Sequence, residues 1–286
     1  MSRVAEQLVT GSAPVRRRPK ATLLIGIVLT GLIVLMALVS LFWLPYPLAD
    51  TSGGRLEGPS ALHLLGTDRL GRDLLSQLMW GARIALVVGT CAVAIAAVLG
   101  TIVGLLAAFA RPWVDDTLSA GLDVVIAFPV LLLAMLVVAV QGASLWSAVL
   151  AIGLAMSAVV ARLTRILARR VLQEQFITAA RTSGTGVLGV VFQHVLPNIA
   201  PTLAVSLALQ FGAAVLAEAS LSYLGLGAPP PNASWGRMLQ EAQGTVLTAP
   251  VGAIAPGVAI IALVLVVNFL ADGLRDLADP TRRRSR

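Results

Sequence analysis

Long runs of uncharged, apolar residues constrain this chain more than any other feature of its sequence. Residues 21–44 form a run of 24 residues without a charge, and further uncharged runs cover residues 84–110 and 124–161. A helix crosses the hydrocarbon core of a bilayer with about 20 apolar residues. Only 12% of the chain is charged, against roughly 25% in soluble globular domains. The sequence therefore predicts an all-α integral membrane protein.

The apolar runs divide into six predicted transmembrane helices. The run at 124–161 is too long for one span, and residues 141–144 (QGAS) provide a break, which gives spans near 117–140 and 144–163. The fifth span begins after Pro197 and ends near 225–227, and the sixth covers 250–273. The predicted segments are a basic tail (1–20), a first transmembrane helix (21–45), an external loop (46–83), a five-helix core (84–273) with an inner loop (164–197), and a second tail (274–286).

The positive charges predict the orientation of these spans. With six spans, sixteen of the 21 basic residues fall on the side that carries both termini, and five fall on the other side. Positively charged loops stay in the cytoplasm, so we expect both termini to be cytoplasmic. The arginines then face lipid headgroups and partner proteins, which explains the net charge of +7 without nucleic acid.

The rarity of cysteine, histidine and lysine excludes several kinds of site. Cys91 is the single cysteine, which rules out an intramolecular disulfide, and His63 and His194 are far apart in sequence, which argues against a metal site. Lys20 is the single lysine and lies outside any glycine-rich, phosphate-binding loop. We therefore expect no metal, no bound cofactor and no ATPase site in this chain.

The inner loop at 164–197 is longer than the roughly two to eight residues that usually connect bundled helices. Residues 173–181 are good helix formers, residues 182–186 (TSGTG) break the helix, and an apolar stretch follows that Pro197 is expected to end. The pattern predicts a helix, a break and a second helix. A short projecting helix fits a groove in a soluble partner, whereas a helix lying on the membrane surface is the alternative. The residues alone leave both open.

This loop resembles the EAA loop, which marks permease subunits of ATP-binding-cassette (ABC) importers. The matching positions are Ala179, Ala180, Arg181, Gly184 and residues 194–198 (HVLPN). Thr178 stands where that family usually has glutamate, so the chain lacks the carboxylate that the family presents to the ATPase at this position.

Further stretches narrow the resemblance to one family. The matching stretches are 65–68 (LGTD), 71–73 (GRD), 81–83 (GAR), 217–227 (AEASLSYLGLG), 230–231 (PP), 234–236 (SWG), 272–276 (DGLRD) and 279–280 (DP). Because they occur in the family's order, the chain is identified as a member of the dipeptide/oligopeptide/nickel permease family, and it resembles the "C" type transmembrane subunit.

The resemblance implies a type I ABC importer permease fold in a bacterial inner membrane. In such importers two permease subunits form the pathway, two ATP-binding subunits use ATP and Mg²⁺ beneath them, and an external binding protein delivers the solute. The expected substrate is a di- or oligopeptide, with nickel or another small solute as the alternative. An ion-coupled secondary transporter is the alternative from another class, although the sequence lacks the inverted repeats of such proteins.

The resemblance also assigns roles to individual residues. A coupling helix is expected at 174–184, where it docks in a groove of the ATPase. Gly184 ends this helix sharply, and Glu174 and Arg181 are candidates for polar contacts at its edge.

Two acids lie inside predicted spans, where an ionisable group is costly. Asp123 is therefore a candidate for the pathway, and the resemblance implies a role for Glu218 near the external gate. A structural pair or hydrogen bond is the alternative for each.

Two other features predict packing and surface contacts. Gly100 and Gly104 are four residues apart in the second span, which favours close packing against another helix. Trp235 is expected either to meet the binding protein or to anchor the chain at the membrane interface.

Overall fold

The computed structural model describes residues 19–278, and the chain in this range is a helical bundle, which confirms the all-α prediction. The helices are α1 (Pro19–Phe42), α2 (Leu74–Phe109), α3 (Pro112–Ala127), α4 (Val130–Gln141), α5 (Leu145–Leu172), α6 (Gln175–Thr182), α7 (Val187–Tyr223), α8 (Trp235–Ala242) and α9 (Val251–Ala278). Of the predicted tails, residues 1–18 and 279–286, with the DP pair at 279–280, lie outside the described residues.

The core is built on α2 and α5, which form the most extensive helix pair in the described chain. A Cβ added to Gly100 would lie 2.5 Å from the Cβ of Val160 and 2.7 Å from the carbonyl oxygen of Ser157. One turn later, Gly104 faces the backbone of Ala161 in the same way. The two glycines therefore let the helices approach almost to backbone contact, as the sequence predicted.

Within the described residues, four helices are long and apolar enough to cross a bilayer, namely α2, α5, α7 and the part of α9 at Val251–Gly273. α3 and α4 are long and apolar enough only as a bent pair, which would supply a fifth span. In α1 the apolar part within the fully described residues is Gly26–Phe42. The chain is a multi-pass membrane protein, and the count of six spans stays a prediction.

The third span is not the continuous helix that was predicted near 117–140. α3 and α4 meet at a bend of 90°. Pro129 explains the bend, because a residue before proline is disfavoured in the helical region and Phe128 has extended backbone angles (φ −81°, ψ 134°). Proline also lacks the N–H that would continue the helical hydrogen bonds.

The predicted break at 141–144 is present. Gly142 follows α4 with a φ of +86°. Ser144 caps α5, because its side chain accepts a hydrogen bond from the amide of Ser147 at 3.0 Å.

The second helix of the inner loop does not end at Pro197, contrary to the prediction. α7 continues through Pro197 and Pro201 into its long apolar part. The stretch Val190–Val195 is π-helical, which changes the hydrogen-bond partners of the backbone just before Pro197. The inner loop is consequently reduced to α6 and its two connections.

The external loop is shorter than the predicted 46–83, because α2 begins at Leu74. Asp73 caps this helix by accepting a hydrogen bond from the amide of Ser76 at 2.7 Å. The 36 residues of α2 are more than a bilayer core of about 30 Å requires at about 1.5 Å per residue. One end of α2 therefore extends beyond the apolar layer.

Candidate functional site

α6 is a short helix between the ends of α5 and α7. Glu174 precedes it with extended backbone angles (φ −73°, ψ 145°), and the Glu174 side chain makes no capping hydrogen bond. Arg181 lies in the last turn, where a positive charge is favourable beside the exposed carbonyl groups of a helix end.

Gly184 ends α6 in a Schellman motif. The amide of Thr185 donates to the carbonyl of Ala180 at 3.0 Å, and the amide of Gly184 donates to the carbonyl of Arg181 at 3.0 Å. Gly184 has a φ of +87°, and beyond its chain neighbours no atom lies within 4 Å of an added Cβ. The requirement for glycine is therefore conformational, since a residue with a Cβ costs about 1–2 kcal/mol in this region.

One face of α6 is anchored and the other is exposed. Ile177 is 1% exposed and belongs to the main apolar core, together with Val190 and Val195 of the π-helical stretch. The predicted coupling residues occupy the helix and its two ends, with Ala180 half-buried and the others exposed: Glu174, Thr178, Ala179, Ala180, Arg181 and Gly184. The free face thus offers small and polar side chains.

Asp115, which the sequence interpretation missed, pairs with two arginines close to α6. Its carboxylate is 2% exposed, accepts hydrogen bonds from Nε and Nη2 of Arg165, the latter at 2.6 Å, and lies 2.7 Å from Nη2 of Arg169. A bidentate arginine–carboxylate pair fixes orientation as well as charge. The first turn of α3 is therefore tied to the end of α5 that leads into α6.

Asp123 lies on the exposed surface of α3 and faces α5. Its Oδ1 is 3.4 Å from Nη1 of Arg162, and the two side chains are 61% and 56% exposed, with Arg162 the less exposed. This is a structural pair, and exposed pairs of this kind contribute about 0–1 kcal/mol. A role for Asp123 in the pathway stays a prediction.

Glu218 lies near the end of α7 that is remote from α6. It is 2% exposed, and its Oε1 accepts a hydrogen bond from the hydroxyl of Ser222 at 2.6 Å. Along α7, Val187 and Glu218 are separated by roughly 45 Å at about 1.5 Å per residue. The structure therefore does not bring Glu218 near the coupling residues.

α8 covers the end of the bundle opposite α6, and Trp235 anchors it. Trp235 is 1% exposed, and its indole occupies the space that Gly81 leaves open, since a Cβ there would lie 2.7 Å from Nε1. Gly236 packs directly on the backbone of Ala219. Trp235 is a core residue, so the prediction that it meets a binding protein or the membrane interface is wrong.

The outer loop before α2 is folded against α2 and α8. His63 Nδ1 lies 3.0 Å from Oδ1 of Asp73, and both side chains are buried. Asp68 accepts a hydrogen bond from Nε of Arg72 at 2.7 Å, and Arg72 also pairs with Glu241 of α8. The LGTD and GRD stretches thus hold the outer loop, α2 and α8 together at this end of the molecule.

The histidines have local partners. Within residues 19–278, no three side chains of histidine, cysteine, aspartate or glutamate come together as a metal site. The ring of His63 lies 4.6 Å from that of Tyr46, and the ring of His194 lies 6.1 Å from that of Phe176.

The chain is similar to permease proteins of known transport systems. Residues 100–284 match the family described as "Binding-protein-dependent transport system inner membrane component". The dipeptide transport system permease protein DppC of Alkalihalophilus pseudofirmus is 38% identical over 90% of this chain and 85% of that protein. The glutathione transport system permease protein GsiD of Pectobacterium atrosepticum is 39% identical over 88% and 86%. The di/tripeptide transport system permease protein DppC of Pseudomonas aeruginosa is 39% identical over 89% and 86%.

Two solved structures share the fold. An inward-facing MetNI methionine ABC transporter superposes with a TM-score of 0.61 and 19% identity, covering 71% of this chain and 97% of that chain. An amino acid ABC transporter superposes with a TM-score of 0.53 and 18% identity, covering 73% and 94%.

Proposed function

The chain belongs to the family of binding-protein-dependent transport system inner membrane components, and from this premise we propose that it is one permease subunit of an ATP-driven peptide importer. Its fold is that of type I ABC importer permeases. A permease subunit of this family is not an enzyme, because it forms a pathway and makes no covalent bond. α6, with its anchored and exposed faces, is the observation that carries the proposal.

The peptide substrate is supported by the names of the relatives. They are permeases for dipeptides, for di- and tripeptides, and for glutathione, and each is 38–39% identical to this chain over nearly its full length. The common chemistry is a short, zwitterionic peptide.

The proposed assembly contains a second permease subunit, two ATP-binding subunits and an external substrate-binding protein. ATP and Mg²⁺ act in the ATP-binding subunits, and this chain binds neither. Both termini and α6 face the cytoplasm in this arrangement. Arg165, Arg169 and Arg170 lie towards the end of α5 that leads into α6, Arg181 lies in the last turn of α6, and positive charge is retained inside.

α6 acts as the coupling helix. Its exposed face, with Thr178, Ala179 and Arg181, docks in a groove of the ATP-binding subunit, and Glu174 contributes a polar contact at the edge. Ile177, 1% exposed, transfers the movement of the docked helix to the core. A packed, capped helix can do this because coupling needs an element that both sites displace together.

Asp115 extends this coupling to α3. Because Arg165 and Arg169 hold its buried carboxylate, a displacement of the end of α5 moves the first turn of α3 as well. α3 therefore moves together with the end of α5, and the bend at Pro129 allows α4 to stay in place. Asp123 and Glu218 are proposed to lie on the pathway or at its gate, Asp123 towards the inside and Glu218 towards the outside.

Uptake measurements test the proposal. Labelled dipeptide, labelled oligopeptide and nickel are offered to cells that lack the gene and to cells complemented with the wild type, Gly184→Arg or Gly186→Arg. We expect the wild type and Gly186→Arg to restore peptide uptake. Gly186 is the matched control, since it also has open space around it but a φ of −70°.

Gly184→Arg is expected to reach the membrane in normal amount and to transport nothing. Normal uptake by this variant contradicts the coupling role of α6. Restoration of nickel uptake alone contradicts the peptide assignment and supports the nickel alternative.

A further inference from the structure

A cavity of about 230 Å³ lies between the outer loop, α8 and the start of α9. Its apolar wall includes Leu56, Leu70, Leu74, Met238 and Ala249. Its polar wall is formed by Asp68, Arg69, Arg72, Gln77, Glu241 and Thr245. The cavity is smaller than the roughly 300–1,000 Å³ of pockets that enclose a whole ligand, so it suits one end of a short molecule.

Both acids of the cavity are already paired. Asp68 accepts hydrogen bonds from Nε of Arg72 at 2.7 Å and from Nε2 of Gln77 at 3.0 Å. Glu241 pairs with Arg72 and accepts a hydrogen bond from Nε of Arg237 at 2.8 Å. These two acids and two arginines balance each other's charge.

Among the described residues, no acid lies within ion-pair distance of Arg69. It takes part in none of the ion pairs found between residues 19 and 278, and its Nε is buried without a hydrogen-bond partner among those residues. A buried donor without a partner is rare in folded proteins and calls for an explanation. Its Nη2 lies beside Gly244, since a Cβ on Gly244 would be 2.5 Å away.

We propose that Arg69 is a carboxylate subsite, which binds the C-terminal carboxylate of a peptide at the outer end of the permease. A guanidinium group offers paired N–H donors that match a carboxylate in a bidentate arrangement. The neighbouring leucines and Met238 accept the side chain of the last residue. This inference rests on the proposed function, because it takes the cargo to be a peptide.

The test measures binding of trialanine and of trialanine C-terminal amide to the complete complex in nanodiscs, with the external binding protein omitted. Omission matters because that protein selects substrates by itself. Hydrogen bonds to a charged group are stronger than those between neutral groups, so we expect the wild type to prefer the acid by about 10-fold or more.

Three variants assign this preference to Arg69. Arg69→Gln is expected to bind the acid and the amide equally, and Arg69→Lys to retain part of the preference, because it keeps the charge and loses the bidentate geometry. Gly244→Ala is expected to reduce the preference by displacing the guanidinium. Arg55→Gln is the control, since Arg55 is exposed in the same loop and should leave the preference unchanged.

The outcomes separate the subsite from the peptide assignment. If complemented cells that carry the complete importer take up trialanine, but wild type and Arg69→Gln in nanodiscs bind acid and amide alike, the subsite is wrong and peptide import stands. If neither compound is bound or imported, both proposals fall. A second measurement adds the binding protein to the same nanodiscs. If Arg69→Gln weakens the docking of that protein and leaves the preference for the acid unchanged, then Arg69 meets an acidic group of that protein and the subsite is overturned.

Discussion

The indole Nε1 of Trp235 donates a hydrogen bond to the backbone carbonyl of Leu78 at 3.0 Å. Leu78 is in the first turns of α2 and Trp235 opens α8, so this bond joins segments that are 157 residues apart in the chain. The GAR and SWG stretches are therefore two halves of one packing arrangement, with the indole of Trp235 resting on Gly81.

Trp235→Phe should lower the stability of the folded protein moderately, and Trp235→Ala should lower it strongly. The phenyl ring keeps most of the apolar contact and loses one hydrogen bond, worth about 0.5–1.5 kcal/mol, whereas alanine leaves a cavity that costs about 3–5 kcal/mol. The measurement is thermal unfolding of the purified complex. Trp113→Ala is the matched control, because Trp113 is 69% exposed. Equal effects of Trp113→Ala and Trp235→Ala would contradict the assignment of Trp235 to the core.

The sequence was most informative where structure depends on neighbouring residues. The breaks at 141–144 and 182–186 follow from local backbone requirements, which a single segment displays. The spacing of Gly100 and Gly104 predicted close packing, although it did not identify α5 as the partner. Pro129 carried an equally local signal for the bend between α3 and α4, and the length of the apolar run concealed it.

Tertiary pairing could not be predicted in the same way. Asp115 pairs with Arg165 fifty residues later, and in the sequence Asp115 is only an acid in the first turn of a helix, where any acid is favourable. Trp235 was assigned to the surface because it lies in a predicted outer loop and tryptophan is enriched at membrane interfaces. Its burial depends on the space above Gly81, which belongs to a different helix.

Gly184→Ala should uncouple ATP hydrolysis from transport, while Gly184→Asn should be tolerated better. Alanine at a φ of +87° costs about 1–2 kcal/mol, and asparagine adopts this region more readily. The measurement is the number of peptides imported per ATP hydrolysed in proteoliposomes. Gly186→Ala, at a φ of −70°, should behave as the wild type. Loss of coupling in both variants would mean that the loop sequence matters and the backbone conformation does not.

Asp115→Asn should reduce uptake and stability together, and Asp115→Glu should restore part of both. Removing the carboxylate leaves Arg165 and Arg169 facing each other. Breaking a buried pair costs about 3–5 kcal/mol, and we expect about 1–3 kcal/mol here because Arg169 is 41% exposed and water screens its charge. Asp123→Asn is the control for stability alone, and in thermal unfolding it should cost at most about 1 kcal/mol. Similar losses of stability in the two variants would contradict the role of Asp115 in tying α3 to α5.

Gly104→Ala should destabilise the bundle, although alanine favours helices. An added Cβ would lie 2.6 Å from the Cβ of Thr164 and would meet the backbone of Ala161, so α2 and α5 must separate at a cost of about 1–3 kcal/mol. Gly121→Ala is the matched control, because no atom lies within 4 Å of its added Cβ. That variant should gain up to about 1 kcal/mol from helix propensity. Thermal unfolding distinguishes the two, and a stabilised Gly104→Ala would disprove close packing at this site.

Ile177→Ala should loosen α6 without unfolding the rest of the protein. A helix of eight residues is not stable by itself in water, so α6 depends on the burial of Ile177, which is 1% exposed. Truncation of a buried isoleucine costs about 2–5 kcal/mol, enough to let α6 detach. Hydrogen exchange of the amides in α6 should accelerate and uptake should fall, while exchange in α2 and α5 stays slow. Phe176→Ala is the comparison, since Phe176 is 44% exposed and should leave exchange in α6 nearly unchanged. If the amides of α6 still exchange slowly in Ile177→Ala, contacts other than this side chain hold α6 in place. The proposal that Ile177 transfers movement from α6 to the core would then be wrong.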